Sequence, residues 1–209
     1  MLSVSSAGRW LTAGALSVAL LVGGGGVVAA APAQGAAAAA AADPAGPYGR
    51  LRLLADLAAQ RLGTADLVAA AKYGTDSPID DPARERQVLD DVARQARELG
   101  ADPEATVRIF RDQIEANKVV QRELHRRWDA DPAQAPDPDR RPDLAEVRQE
   151  INRVNGALVR GIADSPSALS LPSCRGLVAA GVVRVWHERH LDLLHGVALG
   201  RAMRSVCAG

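Results

Sequence analysis

Two amide side chains interrupt an otherwise apolar stripe in the middle of the sequence. The stripe repeats every three or four residues, the period of one helical face, and it consists of Val107, Phe110, Ile114, Asn117, Gln121, Leu124 and Trp128. A buried amide without a hydrogen-bond partner costs about 1–3 kcal/mol. We therefore expect Asn117 and Gln121, which lie one turn apart, to face a group that hydrogen-bonds with them.

Four basic residues accompany apolar positions of other predicted helices. Arg61 and Lys72 are separated by about three helical turns, so they point to the same side of one helix. Arg84 opens a second helix, and Arg148 lies beside Val147 on a later one. Such cations repel one another unless an anion lies among them, and arginine binds carboxylates through two parallel hydrogen bonds. The pattern predicts a small polyanionic ligand such as a dicarboxylate; the alternative is that each cation is an ordinary surface side chain.

Two other groups of polar residues raise the alternative of a metal site. One is a cluster near the C-terminus, formed by His187, Glu188, His190 and His195. Two of its histidines lie one turn apart, as metal ligands do, but a third convergent ligand is not evident. The other group lacks the spacing and the glycine of a calcium-binding loop and consists of Asp76, Asp80 and Asp81. We expect neither a metal nor a cofactor.

The first part of the chain has the composition of a secretory signal. Arg9 precedes the apolar residues 11–28, and small residues follow them, as at signal cleavage sites. We therefore predict a signal peptide over residues 1–33, a low-complexity linker over 34–47 and one domain over 48–209. An uncleaved anchor is the alternative, because the tract approaches the ~20 residues that span a membrane. Cleavage would leave a secreted or periplasmic protein without a membrane segment.

The rest of the chain predicts an all-α fold. Helices are expected over residues 49–73, 82–99, 103–128, 143–163 and 174–206, and the second and third begin at Asp-Pro pairs that suit a cap and the first helical position. Proline-rich residues 129–142 form a linker. The core of the last helix is expected to include Val178, Val182, Val185, Leu193, Leu194 and Val197, while Gly181 and Gly196 weaken or kink it. We predict a bundle of five to six helices with one long helical hairpin and a C-terminal lobe.

The two cysteines and the charge balance narrow the possibilities further. Export favours a disulfide between Cys174 and Cys207, which would stabilise the domain by about 3–4 kcal/mol; two free thiols are the alternative. Lys and Arg together number 25, as do Asp and Glu. A neutral chain without a basic tail argues against nucleic acid as a partner.

Several runs of residues resemble the secreted chorismate mutases, the exported, all-helical gamma subclass of the AroQ group known from mycobacteria. The runs are Arg61-Leu62, residues 68–73, residues 78–81 with Arg84, and residues 110–117. The later half agrees at residues 142–144 with Arg148, at 172–174, at 189–192 and at Cys207. The resemblance extends from about Leu54 to Cys207.

The resemblance implies a cofactor-free isomerase that rearranges chorismate to prephenate on the route to phenylalanine and tyrosine. It also implies a homodimer in which each chain carries its own site. Arg61 and Arg148 resemble the arginines that bind the two substrate carboxylates, and Lys72 resembles the lysine that binds a carboxylate and the ether oxygen. Arg84 resembles a further site arginine. The hydroxyl-binding acids of some members match Asp81 and Glu85.

The resemblance also gives the two amides of the stripe a role. Asn117 stands where several members have a small hydroxyl residue, and Gln121 stands where mycobacterial members carry glutamate and other bacterial members glutamine. Negative charge grows on the ether oxygen as its bond to carbon breaks, so a donor there stabilises the transition state more than the ground state. Glutamine donates an N–H at any pH, whereas a glutamate must first be protonated.

A non-catalytic secreted helical binding protein that retains the mutase scaffold is the alternative. The departure at Asn117 and the export itself favour this alternative. Against it, the cations and Gln121 would persist without a role.

Overall fold

The structure is a computed structural model that describes residues 46–207. The signal peptide predicted over 1–33 and nearly all of the linker predicted over 34–47 lie outside this range. The described residues form seven α-helices and two short 3-10 turns without a strand, which confirms the all-α fold. The helices are α1 Gly46–Lys72, α2 Pro82–Glu98, α3 Pro103–Ala130, α4 Leu144–Ala163, α5 Pro166–Leu169, α6 Cys174–Glu188 and α7 Leu193–Ala202, and the 3-10 turns are Pro132–Gln134 and Pro138–Arg140. None of the described helices is both long enough and apolar enough to cross a membrane.

The Asp-Pro pairs begin α2 and α3 as predicted. The Asp81 side chain accepts a hydrogen bond from the backbone N–H of Arg84, and the Asp102 side chain accepts two from the first turn of α3. Both carboxylates therefore satisfy N–H groups that the helix itself leaves unpaired. Asp81 thus fixes the point where the chain turns from the 73–81 loop into α2.

Helix α1 is the centre of the bundle. It packs against α3, α4 and α6, while α3 also contacts α2 and α7, and α2 contacts α4. With 27 and 28 residues, α1 and α3 are rods of about 40 Å. Gly161 brings α4 close to α1, because a Cβ atom there would lie 2.9 Å from a methyl group of Leu54. Helices α1 to α4 therefore enclose a common space.

The prediction of one continuous helix over residues 174–206 is wrong, because the structure has two helices there, α6 and α7. It is broken at residues 189–192, where His190 adopts a left-handed φ of 49° and Asp192 caps α7. The two glycines that were expected to weaken or kink the helix lie elsewhere. A Cβ at Gly181 would approach the α1 backbone, and one at Gly196 would lie 2.3 Å from the Trp186 ring. Both positions serve close packing instead.

The break also turns part of the expected core outward. Leu193 and Val197 are 72% and 60% exposed, because α7 restarts with a new rotation after the break. The disulfide is confirmed: Cys174 at the start of α6 is bonded to Cys207 after α7, with Cα atoms 5.8 Å apart. The bond ties the end of the described chain to the C-terminal lobe.

His195 contacts two carboxylates, one at the start of its own helix α7 and one on α1. Its Nδ1 lies 2.8 Å from Asp192 and its Nε2 lies 3.1 Å from Asp66 on α1, with the side chain 14% exposed. The hydrogen bond to Asp66 raises the pKa of His195, burial opposes this, and Asp192 adds to it, giving a pKa of about 9. The protonated ring therefore stabilises the folded state.

We expect this link to make stability depend on alkaline pH. An unfolded histidine has a pKa near 6.5, so the contribution is complete below that pH and is lost as pH rises through about 9. Between about pH 6 and pH 10 the wild type should lose on the order of 1–3 kcal/mol of unfolding free energy from this link. His195→Gln should abolish most of this pH-dependent loss in urea unfolding.

His187→Gln is the matched control, because His187 is exposed on α6. Its unfolding free energy should follow the wild type at both pH values. Equal pH dependence in the wild type and His195→Gln would contradict the role given to His195.

Candidate active site

One pocket lies between α1, α2, α3, α4 and the 73–81 loop. It encloses about 660 Å³ of empty space, a volume that includes its open mouth. The structure brings together here all eight residues that the sequence singled out for a site. They are Arg61, Lys72, Asp81, Arg84, Glu85, Asn117, Gln121 and Arg148.

Arg61 is the most deeply buried cation of the pocket, with 5% of its surface exposed. Its Nε donates to Oδ1 of Asn155 at 2.9 Å, and its Nη1 donates to the backbone oxygen of Gln113 at 3.0 Å. Burial lowers the pKa of Arg61 to about 10, so the side chain remains charged at neutral pH. A buried charge held by neutral oxygens alone is unfavourable, which favours an anionic ligand beside it.

The other three predicted cations also lack a counter-ion in the described part of the chain. Lys72 donates from Nζ to the backbone oxygen of Pro78 at 2.7 Å, and Arg84 donates to amide oxygens of Gln87 and Asn152 at 2.6 and 3.4 Å. Within residues 46–207, Arg61, Lys72, Arg84 and Arg148 form no ion pair shorter than 4.0 Å. Burial lowers the pKa of Lys72, a change that the charge of Asp81 opposes and that of Arg148 reinforces.

The two amides of the α3 stripe are buried and partly satisfy each other. Asn117 is 7% and Gln121 is 4% exposed, and Nε2 of Gln121 donates to Oδ1 of Asn117 at 2.5 Å. The Oε1 atom of Gln121 is buried without a hydrogen-bond partner among the described residues. Rotation of the amide by 180° would exchange its oxygen and nitrogen. Gln121 presents an acceptor at the unsatisfied position as it stands, and it would present a donor there if the Asn117 amide rotated with it, so that Asn117 donates to Gln121 instead.

The acids of the pocket have partners of their own. Asp81 caps α2, and Glu85 contacts the ammonium of Lys118 at 3.0 Å. The sequence did not single out Lys118, although this residue lines the pocket. Lys118 directly follows Asn117 and so lies beside the apolar stripe of α3, at a position where a lysine usually indicates a solvent-exposed face.

Asn155 was also missed, although a signal for it exists in the sequence. It follows Ile151 by four residues and precedes Leu158 by three, so it is an amide inside the apolar stripe of α4. The same reasoning that singled out Asn117 predicts a buried polar contact there. That contact is Arg61, on a helix 94 residues earlier.

The residues weighed as metal ligands remain apart. Among the described residues, no group of three or more His, Cys, Asp or Glu side chains is arranged to hold a metal ion. His187 and His190 are exposed, and His195 contacts Asp66 and Asp192. Asp80 forms ion pairs with Arg122 and Lys118 instead.

Comparison with known proteins identifies similar sequences and structures. Residues 52–122 match the family model described as chorismate mutase type II. The secreted chorismate mutase of Mycolicibacterium smegmatis is 40% identical over 166 residues, which cover 79% of this chain and 89% of that protein. The secreted chorismate mutase of Mycobacterium tuberculosis is 36% identical over 158 residues, covering 76% of this chain and 78% of that protein.

A solved structure gives the same result for the fold. The crystal structure of chorismate mutase from Burkholderia phymatum superposes with a TM-score of 0.73 at 34% identity. The match covers 78% of this chain and 99% of that chain. The similarity in fold therefore extends over most of this chain and nearly the whole of that chain.

Proposed function

The chain belongs to the family of secreted chorismate mutases, and we propose that its pocket rearranges chorismate to prephenate without a cofactor. The observation that supports this most strongly is the buried charge of Arg61, held by neutral oxygens beside three further cations without ion pairs. Chorismate is a small dicarboxylate, so its binding would supply the missing negative charges. The protein is accordingly an isomerase acting on one substrate.

In the proposed complex, Arg61 and Arg148 each bind one substrate carboxylate. The guanidinium group suits this task because its parallel N–H groups match the two oxygens of a carboxylate. Arg84 contributes further positive charge, and Asp81 and Glu85 accept a hydrogen bond from the ring hydroxyl. Binding both carboxylates holds the substrate in the compact, chair-like conformer from which it reacts, which is an orientation effect.

Lys72 and Gln121 are the proposed catalytic donors. As the ether bond breaks, negative charge develops on its oxygen, and a donor placed there lowers the barrier without transferring a proton. Lys72 would exchange its present acceptor, the backbone oxygen of Pro78, for the substrate. Gln121 would donate from Nε2 at the position that its unsatisfied Oε1 now occupies, which requires the amides of Gln121 and Asn117 to rotate together by 180° so that their mutual hydrogen bond is kept.

The cellular setting and assembly are part of the same proposal. The signal-like residues 1–33 and the word "secreted" in the names of the relatives support export, with a mature domain over 48–209. Resemblance to the family supports a homodimer with one site in each chain.

The proposed function predicts turnover that depends on Lys72 and Arg148. The purified domain should consume chorismate, followed by its loss of ultraviolet absorbance. Lys72→Ala and Arg148→Ala should each lower kcat/KM by about 100-fold or more, the usual effect of removing a charged donor to a developing anion. Arg153→Ala is the matched control on α4, because Arg153 pairs only with Glu150 at the surface; its kcat/KM should stay within about twofold of the wild type.

Absence of turnover by the wild type would favour the non-catalytic binding protein that retains the mutase scaffold. Turnover that neither alanine substitution affects would refute the assignment of the site while leaving the activity.

A second prediction concerns the uncharged donor. Because the glutamine amide keeps its N–H groups at every pH, kcat of the wild type should be nearly constant between about pH 5 and pH 8. Gln121→Glu should instead lose activity as pH rises through the carboxyl pKa, since only the protonated acid donates. A steep loss in the wild type over this range would contradict the role of Gln121.

A further inference from the structure

Lys118 is a buried lysine in the pocket wall whose surroundings differ from those of the other pocket cations. It lies on α3 with 8% of its surface exposed. Its ammonium contacts carboxylates from three segments: Asp80 of the 73–81 loop at 3.2 Å, Glu85 of α2 at 3.0 Å and Glu115 of α3 at 2.5 Å. One side chain thus joins three parts of the chain that border the pocket.

The contacts of Lys118 leave it no free donor for a ligand. A lysine ammonium has three N–H groups, and three carboxylates surround this one. Burial lowers the pKa of Lys118, but the hydrogen bonds that its ammonium donates to Glu115, Glu85 and Asp80 outweigh burial and raise the pKa, so the charge persists. Lys118 therefore cannot bind substrate as the four cations without ion pairs can.

Glu85 is the partner through which Lys118 reaches the site. Its side chain is 28% exposed and lines the pocket, and its charge is among those that partly offset the lowering of the Lys72 pKa by burial. A carboxylate released beside cations that lack counter-ions would form an ion pair with them. Such a pair would compete with the substrate carboxylates for the same cations.

We propose that Lys118 is a positioning residue that holds the Glu85 carboxylate away from the substrate-binding cations and towards the substrate hydroxyl. This inference rests on the proposed function. The contact with Asp80 adds a second anchor, because Asp80 also pairs with Arg122 at 2.6 Å. Together these contacts fasten the 73–81 loop, whose Pro78 carbonyl holds Lys72.

A double-mutant cycle between Lys118 and Glu85 tests this role, with KM and kcat of chorismate measured for each variant. Lys118→Met should raise KM about 10-fold with kcat within about threefold of the wild type, because a freed Glu85 blocks binding more than chemistry. Glu85→Gln cannot form the competing ion pair. Adding Lys118→Met to Glu85→Gln should therefore change kcat/KM by less than about twofold. The difference between this small effect and the effect of Lys118→Met in the wild type is the coupling between the two residues, as expected for side chains in contact.

Glu115→Gln is the matched control. It removes another carboxylate from the same ammonium, yet Glu115 does not line the pocket, so KM should remain within about twofold of the wild type. A purely structural role of Lys118 predicts instead that Glu115→Gln and Lys118→Met lower both stability and kcat/KM in parallel, which thermal unfolding of the same samples would reveal.

The outcomes separate this inference from the proposed function. No turnover by the wild type overturns both. Turnover together with an equal effect of Lys118→Met in the wild-type and Glu85→Gln backgrounds overturns the positioning role alone. If Lys118→Met does not fold, Lys118→Arg takes its place: it retains the charge but shifts the donors, and its rise in KM should likewise depend on Glu85.

Discussion

The buried charge of Arg61 is the constraint on which the rest of the site depends. Its guanidinium lies in the bundle interior, where, among residues 46–207, the amide oxygen of Asn155 and the backbone oxygen of Gln113 accept its hydrogen bonds. Removing a charge from water is unfavourable unless it is paired, so the carboxylate of a bound substrate would stabilise the Arg61 guanidinium. The close approach of α1 and α4 at Gly161 and the long α1 and α3 supply the rigid frame that holds this charge in place.

The charges of the pocket are divided according to their tasks. The cations assigned to the substrate hold neutral oxygens, such as the Pro78 carbonyl at Lys72, and a substrate anion can replace a neutral oxygen at low cost because no ion pair is broken. Lys118, by contrast, is surrounded by three carboxylates, and its proposed task is to position Glu85. The Asn117–Gln121 pair combines both features, with one hydrogen bond formed and one polar atom left for the ligand.

The sequence predicted the helices and most of the pocket, because both depend on local periodicity. The stripe of α3, the Asp-Pro caps and the shared face of Arg61 and Lys72 follow from spacing within single helices, and family resemblance added roles to these residues. The break at His190 was missed since no glycine or proline marks it; His190 adopts a left-handed φ there, and α7 packs on α3 and α1 after the turn. Lys118 escaped notice because its burial arises only when α2 and the 73–81 loop bring acids to it.

A crystal structure of the protein with a non-reactive bicyclic ether dicarboxylate, which mimics the transition state, tests the central claim most directly. The account predicts one carboxylate on Arg61, the other on Arg148, and both Nζ of Lys72 and the amide nitrogen of Gln121 within about 3.2 Å of the ether oxygen. The account would be contradicted if neither Lys72 nor Gln121 donated a hydrogen bond to the ether oxygen. It would also be contradicted if the ligand bound while Arg61 donated hydrogen bonds to neutral oxygens alone.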